Sequence, residues 1–133
     1  MNSLTLKIIW VDPEDNMIEV ETNISCDGFI VYGKDYTTLE DLKDFAMELP
    51  KILEKRKVIF TSNDSLEFVF EVIDPQGHIN ANLLVKKSPD RNDHDHSANI
   101  SAITEPALLD RFSKEILQMS NMVGQSANLE LLN

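Results

Sequence analysis

The segment LEFVFEVIDPQGHINANLLV, residues 66–85, decides the fold because it reads as two strands joined by a tight turn at residues 74–77. Apolar residues alternate along both arms, and a period of two is typical of strands that bury one face. Folding the segment about this turn pairs Val72 with Ile79, so one face of the hairpin is apolar and needs a cover. The apolar positions are Leu66, Phe68, Phe70, Val72, Ile79, Ala81, Leu83 and Val85.

A second hairpin is predicted at residues 4–11 and 17–24, which flank the polar loop 12–16. A five-residue loop sets Lys7 opposite Glu21, which is a favourable cross-strand pair. The same register directs one set of apolar side chains to a single face, so charge and hydrophobicity agree on it. That set is Leu4, Leu6, Ile8, Trp10, Ile18, Val20 and Ile24.

The remaining chain predicts further strands and two helices. A short third strand, Phe29–Tyr32, is expected to end at Gly33-Lys34-Asp35. Thr37 or Thr38 then caps a helix, with Glu40 and Asp41 as capping-box partners. The apolar stripe of this helix is Leu39, Leu42, Phe45, Ala46 and Leu49.

Pro50 is expected to kink or break that helix, because proline lacks an N–H and clashes with the preceding turn. Lys57–Thr61 is a fourth strand, and Asn99–Ile103 is a short last strand after the polar loop 87–98. Thr104 is expected to cap the second helix. The apolar stripe of the second helix is Leu108, Leu109, Phe112, Ile116 and Met119.

The predicted order is β-β-β-α-β-β-β-β-α, which favours an α+β fold: a two-layer sandwich of mainly antiparallel sheet with two helices on one face. Residues 1–121 are expected to form a single domain. Residues 122–133 read as a polar C-terminal tail that is frayed or used in a contact.

The composition of the chain argues against some classes of binding partner. The chain has 133 residues and a formal net charge of −11, so nucleic acid and anionic membrane are poor partners. No apolar run reaches the roughly 18–20 residues that span a bilayer, and the first residues do not resemble a signal peptide. With the single cysteine Cys26 no internal disulfide can form, so a cytoplasmic location is expected.

The sequence predicts no catalytic residue, cofactor or metal ligand. His94 and His96 form the one cluster of ligand types, but they lie in a polar loop without a third ligand at a defined spacing. The glycine-rich phosphate loops and the Gly-x-Ser-x-Gly turn are both missing from the sequence. A small metal-dependent enzyme that uses His94 and His96 remains an alternative hypothesis.

Acidic residues suggest a docking surface for a basic protein. On the first helix Glu40, Asp44 and Glu48 follow one another at intervals of four residues, which places them in one stripe. A solvated helix face is the simpler explanation of the stripe. Under the docking hypothesis the stripe is joined by further acids, namely Asp12, Glu14, Asp15, Glu19, Glu21 and Asp35.

The second face of the predicted sheet is also partly apolar. An exposed apolar patch of this kind usually marks a contact site. Either a partner subunit, which would give a homodimer through the outer sheet face, or the tail at Leu129–Leu132 would cover it. The residues concerned are Val69, Ile73, Leu84, Ile9, Val11 and Met17.

Three stretches together carry a resemblance to a known family. Residues 28–45 (GFIVYGKDYTTLEDLKDF), 58–62 (VIFTS) and 66–72 (LEFVFEV) follow each other as strand, capped helix, strand and acidic–apolar hairpin. This layout, over residues 4–119, resembles the WapI-type immunity proteins of bacterial contact-dependent toxin systems. The resemblance implies a cytosolic, non-catalytic protein that binds and blocks a cognate toxin, and it assigns no functional residue to a numbered position.

Overall fold

The computed structural model describes residues 1–87 and 96–132, and there the chain folds into two four-stranded antiparallel sheets with helices packed against them. The N-terminal sheet has the strand order β3–β2–β1–β8. Its members are β1 (Ser3–Val11), β2 (Met17–Cys26), β3 (Phe29–Thr38) and β8 (Ser126–Glu130). The central sheet has the order β4–β5–β6–β7. Its members are β4 (Lys57–Thr61), β5 (Leu66–Val72), β6 (Ile79–Lys87) and β7 (His96–Thr104).

The central hairpin forms as its alternation predicts. Val72 pairs with Ile79, Phe70 with Ala81, and the register continues to the far end of the hairpin. All eight apolar positions of residues 66–85 are buried. The predicted bounds of β4 are also confirmed.

The helices connect the two sheets. These are α1 (Leu39–Glu48), a 3₁₀ turn (Leu49–Lys51), the single-turn α2 (Ile52–Lys55) and α3 (Pro106–Leu117). Helix α3 packs on β8 and on α1, while α1 contacts β3 and β4. Side chains from both sheets and from the helices therefore form one contiguous hydrophobic core. No helix in residues 1–87 or 96–132 is long and apolar enough to cross a membrane.

The first helix begins and ends as expected. Thr38 is its N-cap, and the Thr38 hydroxyl accepts a 3.0 Å hydrogen bond from the backbone N–H of Asp41. Pro50 lies within the 3₁₀ turn that interrupts the helix. For α3 the predicted cap is wrong, because Glu105 takes the N-cap position. Thr104 is instead buried, and its hydroxyl donates to the carbonyl of Glu130.

The α+β class, the antiparallel pairing and the predicted order of elements are confirmed, but the strands divide between two sheets that face each other. Strand β3 continues to Thr38 and does not end at Gly33. Strand β7 begins at His96, so part of the predicted loop 87–98 is strand. Residues 88–95 of that loop lie outside the described residues.

The C-terminal segment also differs from the expected tail. Residues 126–130 form β8, which pairs with β1 from Leu4↔Leu129 to Lys7↔Ser126. Ala127, Leu129 and Leu131 are buried in the common core. Alternation of apolar residues over this short stretch is the signal for a strand, and its polar surroundings obscured it in the sequence.

The apolar residues assigned to one outer sheet face lie on two separate sheets. Val69 and Leu84 belong to the central sheet, beside the exposed Ile59 and Ile73. Ile9, Val11 and Met17 belong to the N-terminal sheet. Strand β8 forms the edge of the N-terminal sheet, so it does not cover the outer face of the central sheet.

Candidate interaction surface

A β-bulge in β1 decides what the outer face of the N-terminal sheet presents. The predicted register holds from Leu6↔Thr22 to Ile8↔Val20, and then shifts so that Trp10 lies opposite Glu19. One extra residue on one strand reverses the alternation beyond it. The prediction that Trp10 joins the core is therefore wrong, and its side chain is 43% exposed.

Trp10 meets a second aromatic side chain on this face. Tyr36 on β3 also pairs with Glu19, so Glu19 lies on β2 between the two aromatic residues. The centroids of the two rings are 5.9 Å apart with an interplanar angle of 87°, the edge-to-face arrangement that aromatic pairs prefer. Tyr36 is 42% exposed, so a rigid aromatic pair faces solvent beside a carboxylate.

Glu21 contacts a second group of side chains on the same face. It lies opposite Lys7 on β1 and Lys34 on β3. Its two carboxylate oxygens accept hydrogen bonds from the Asn23 amide at 3.0 Å and from the Tyr32 hydroxyl at 3.3 Å. These bonds fix the position of Tyr32, whose ring is more than half exposed.

Acidic residues line two depressions at the end of the sheet where α1 begins. Asp15, in the exposed loop between β1 and β2, lines one depression together with Glu40. Asp41 lines a neighbouring depression together with Tyr36 and Met17. We call this the acidic–aromatic surface. It consists of Trp10, Tyr36, Glu19, Asp12, Glu14, Asp15, Glu40 and Asp41.

The predicted stripe on α1 only partly adjoins this surface. Asp44 and Glu48 line a groove between α1 and β4 together with Asp41, whereas Glu40 lines the depression beside Asp15. The carboxylate of Glu48 forms a 2.7 Å ion pair with Lys55. The hydrogen bond from Lys55 lowers the pKa of Glu48. Glu48 is therefore partly neutralised, whereas Glu40 and Asp44 are exposed acids.

Asp35 does not belong to a docking surface, contrary to the prediction. It points inward from β3 and is 7% exposed. Its carboxylate accepts hydrogen bonds from the Ser62 hydroxyl and from the backbone N–H groups of Asp64 (2.6 Å) and Ser65 (2.7 Å). Burial alone would raise the pKa of Asp35, but the hydrogen bonds together outweigh it and lower the pKa. Asp35 thus ties β3 to the turn between β4 and β5.

The structure describes only part of the histidine pair that was a candidate for metal binding. His94 lies outside the described residues, and His96 is an exposed residue at the start of β7. Within residues 1–87 and 96–132 no group of three histidine, cysteine or acidic residues is placed to hold a metal ion. Cys26 is buried, and its pKa is raised by burial and by the nearby charge of Asp27.

No protein-family model, curated protein or solved structure matches this chain in the comparisons made. The surface therefore has to be interpreted from its own residues. Trp10, Tyr32 and Tyr36 were missed by the sequence analysis as surface residues. For the two tyrosines a signal exists: Tyr32, Lys34 and Tyr36 alternate along β3 once the strand is extended through Gly33.

Proposed function

We propose that this chain is a non-catalytic, cytoplasmic protein-binding domain, and most specifically an immunity-type inhibitor that blocks a basic toxin domain. The observation that carries the proposal is the exposed Trp10–Tyr36 pair set among acidic side chains on the outer face of a sheet. The immunity role follows from the resemblance in layout described above. The aromatic pair and the acids supply the physical means of binding.

The two kinds of residue have different tasks in this proposal. Tryptophan and tyrosine are enriched among the residues that dominate binding energies, because they bury a large area at a small entropic cost. Trp10 and Tyr36 are held by their mutual contact, so little ordering remains to be done on binding. Acids around such anchors attract a basic partner and speed association.

The environment of the buried carboxylate points to a structural role for Asp35. A general acid or base at neutral pH needs a pKa close to 7. The hydrogen bonds to Asp35 lower its pKa instead, and they come from groups that shape the β4–β5 turn. Asp35 is thus suited to hold the structure together and unsuited to exchange protons at neutral pH.

The proposal is tested with the product of the gene immediately upstream, purified and titrated into this protein by calorimetry. We expect 1:1 binding, and Trp10→Ala with Tyr36→Ala should weaken it by about 30-fold or more, since a hot spot contributes about 2 kcal/mol or more. Phe29→Ala is the matched control, because Phe29 is an exposed aromatic residue (69%) at the opposite end of β3. Binding that the double variant leaves unchanged would refute this surface.

Charge reversal separates the acidic–aromatic surface from the stripe on α1. Glu19→Lys with Glu40→Lys should slow association and reduce its dependence on salt. Asp44→Lys with Glu48→Lys changes the net charge equally in the groove beside β4. If the second pair of substitutions has the larger effect, the partner binds α1 and the aromatic pair lies outside the interface.

A homodimer is the alternative function, and the outer face of the central sheet favours it. Ile59 and Ile73 are about half exposed there (51% and 52%), with Val69 and Leu84 partly exposed beside them. Light scattering at micromolar concentration decides between the two functions. A stable dimer that Ile59→Asp dissociates, together with no binding to the upstream gene product, would support the assembly module.

A further inference from the structure

A depression between the two sheets gathers positive charge on an otherwise acidic protein. It has a volume of about 340 Å³ and lies where the middle of β3 approaches the end of β6 and the turn between β4 and β5. The side chains that matter are contributed by both sheets and by the turn. They are Tyr32, Lys34, Asp64, Ser65, Lys86 and Lys87.

We propose that this lysine cavity binds a small organic phosphate of the nucleoside diphosphate class. Three lysines and one aspartate line the cavity, while the chain as a whole carries a formal charge of −11. Like charges repel, so a cluster of lysines is unfavourable without an anion between them. A ligand with two adjacent phosphate groups supplies that anion.

Two acids in the described part of the chain lie near these lysines, namely Asp64 in the cavity lining and Glu21 on β2. Glu21 faces Lys34 across the strand pair, but both of its oxygens accept hydrogen bonds from Asn23 and Tyr32. Among the described residues, no acidic side chain lies within ion-pair distance of Lys34, Lys86 or Lys87. The lysines that form ion pairs in the described residues are Lys55 and Lys57, and both lie on elements outside the cavity.

Packing contacts and backbone hydrogen bonds hold together the strands and the turn that form the cavity. Gly33 lets β3 lie directly on β6, because a Cβ at this position would come within 2.3 Å of Cγ1 of Val85. The backbone N–H of Lys86 donates a 2.7 Å hydrogen bond to the carbonyl of Ser65. Asp35 holds the same turn through the N–H groups of Asp64 and Ser65. The lysines therefore project from a framework that is already in place before a ligand binds.

Size and chemistry define the ligand class. Pockets for small ligands usually measure about 300–1,000 Å³, so this cavity admits a ligand no larger than a nucleotide. Lysine binds phosphate as a flexible point charge, and three lysines can contact adjacent phosphate groups at once. The exposed ring of Tyr32 offers a flat surface against which a base can stack.

The test uses the full chain, with inorganic pyrophosphate and adenosine diphosphate as probes in phosphate-free buffer at low salt. Calorimetry should show saturable binding of both probes, with the nucleotide binding more tightly because of Tyr32. Lys34→Ala with Lys86→Ala should weaken both by about tenfold or more, as expected for lost hydrogen bonds to a charged group. Tyr32→Leu should weaken the nucleotide alone.

The matched control is Lys51→Ala with Lys114→Ala, which removes the same charge from exposed positions outside the cavity. Retained binding in this control supports the cavity as the site. No saturable binding of either probe at millimolar concentration, or an equal loss in both double variants, overturns the inference. The result is independent of the proposed function, because the acidic–aromatic surface is unchanged in all of these variants.

Discussion

Replacing Asp35 should destabilise the protein more than replacing any other acidic residue in the described part of the chain. Its carboxylate is 7% exposed and accepts hydrogen bonds from the Ser62 hydroxyl and two backbone N–H groups. The three donors bond to the same oxygen, Oδ2, so Asp35→Asn can keep an acceptor in that position, but it removes the charge that strengthens all three bonds. Each of the three bonds is then weakened from a charged to a neutral hydrogen bond.

The magnitude follows from the number and kind of these bonds. A hydrogen bond to a charged group is worth about 1.5–3 kcal/mol, and bonds that share one acceptor do not add fully. We therefore expect Asp35→Asn to lower the free energy of unfolding by about 2–3 kcal/mol. Asp35→Ala should cost somewhat more, because it also leaves a void.

The pH dependence has a definite sign. Folding lowers the pKa of Asp35 from its ordinary value of 3.8. At acidic pH the Asp35 side chain is therefore protonated less in the folded chain than in the unfolded chain. The stabilisation is therefore complete at neutral pH, and it is lost as the pH falls below about 4 through the lowered pKa. The difference between wild type and Asp35→Asn should shrink over the same interval.

Urea denaturation followed by circular dichroism at pH 7 and at pH 3 measures these differences. Asp44→Asn is the matched control, because Asp44 is exposed and the same change there should alter stability by less than about 0.5 kcal/mol. A double-mutant cycle with Ser62→Ala should show a coupling of about 1 kcal/mol or more. The reasoning is refuted if Asp35→Asn behaves like Asp44→Asn at pH 7.

Three further substitutions test the packing by urea denaturation. Thr22→Val should leave stability unchanged or raise it by about 1 kcal/mol, since the Thr22 hydroxyl is buried without a hydrogen-bond partner among the described residues; a loss above 1 kcal/mol would reveal a missed partner. Gly33→Ala should cost about 1–3 kcal/mol through overlap with Val85, and adding Val85→Ala should make the cost of Gly33→Ala smaller than in the wild type. Leu129→Ala should cost about 2–5 kcal/mol because Leu129 is fully buried; a cost close to that of Leu132→Ala, at a half-exposed position, would show that β8 is not docked.

Elements with a long, regular pattern could be predicted from the sequence. The central hairpin, the bounds of β4, the cap at Thr38 and the interruption at Pro50 all follow from interactions between residues close in the chain. Alternation, capping and proline stereochemistry act over a few residues, and they survive in any tertiary context that buries the apolar face.

The acidic part of the candidate surface was predictable as well, because a run of acids on a loop or helix is exposed almost regardless of the fold. Glu40 and Asp15 could thus be named from the sequence. The sequence did not identify Asp35 as a buried residue, since the donors that hold it come from a turn about thirty residues further along the chain.

Local pattern thus determined the helices, the acidic character of this protein and the presence of strands β1 to β7, but it missed β8 and the full length of β3 and β7. Tertiary structure decided which strands share a sheet, that Trp10 faces outward, and that Lys34 lies near Lys86 and Lys87. The physical reason is that a β-bulge, or the close approach of two strands, changes the free energy of folding only when the partner strand is in place. For the bulge that partner is the next strand, β2, whereas β6, which Gly33 of β3 contacts at Val85, lies far along the chain and is brought close by burial of the common core.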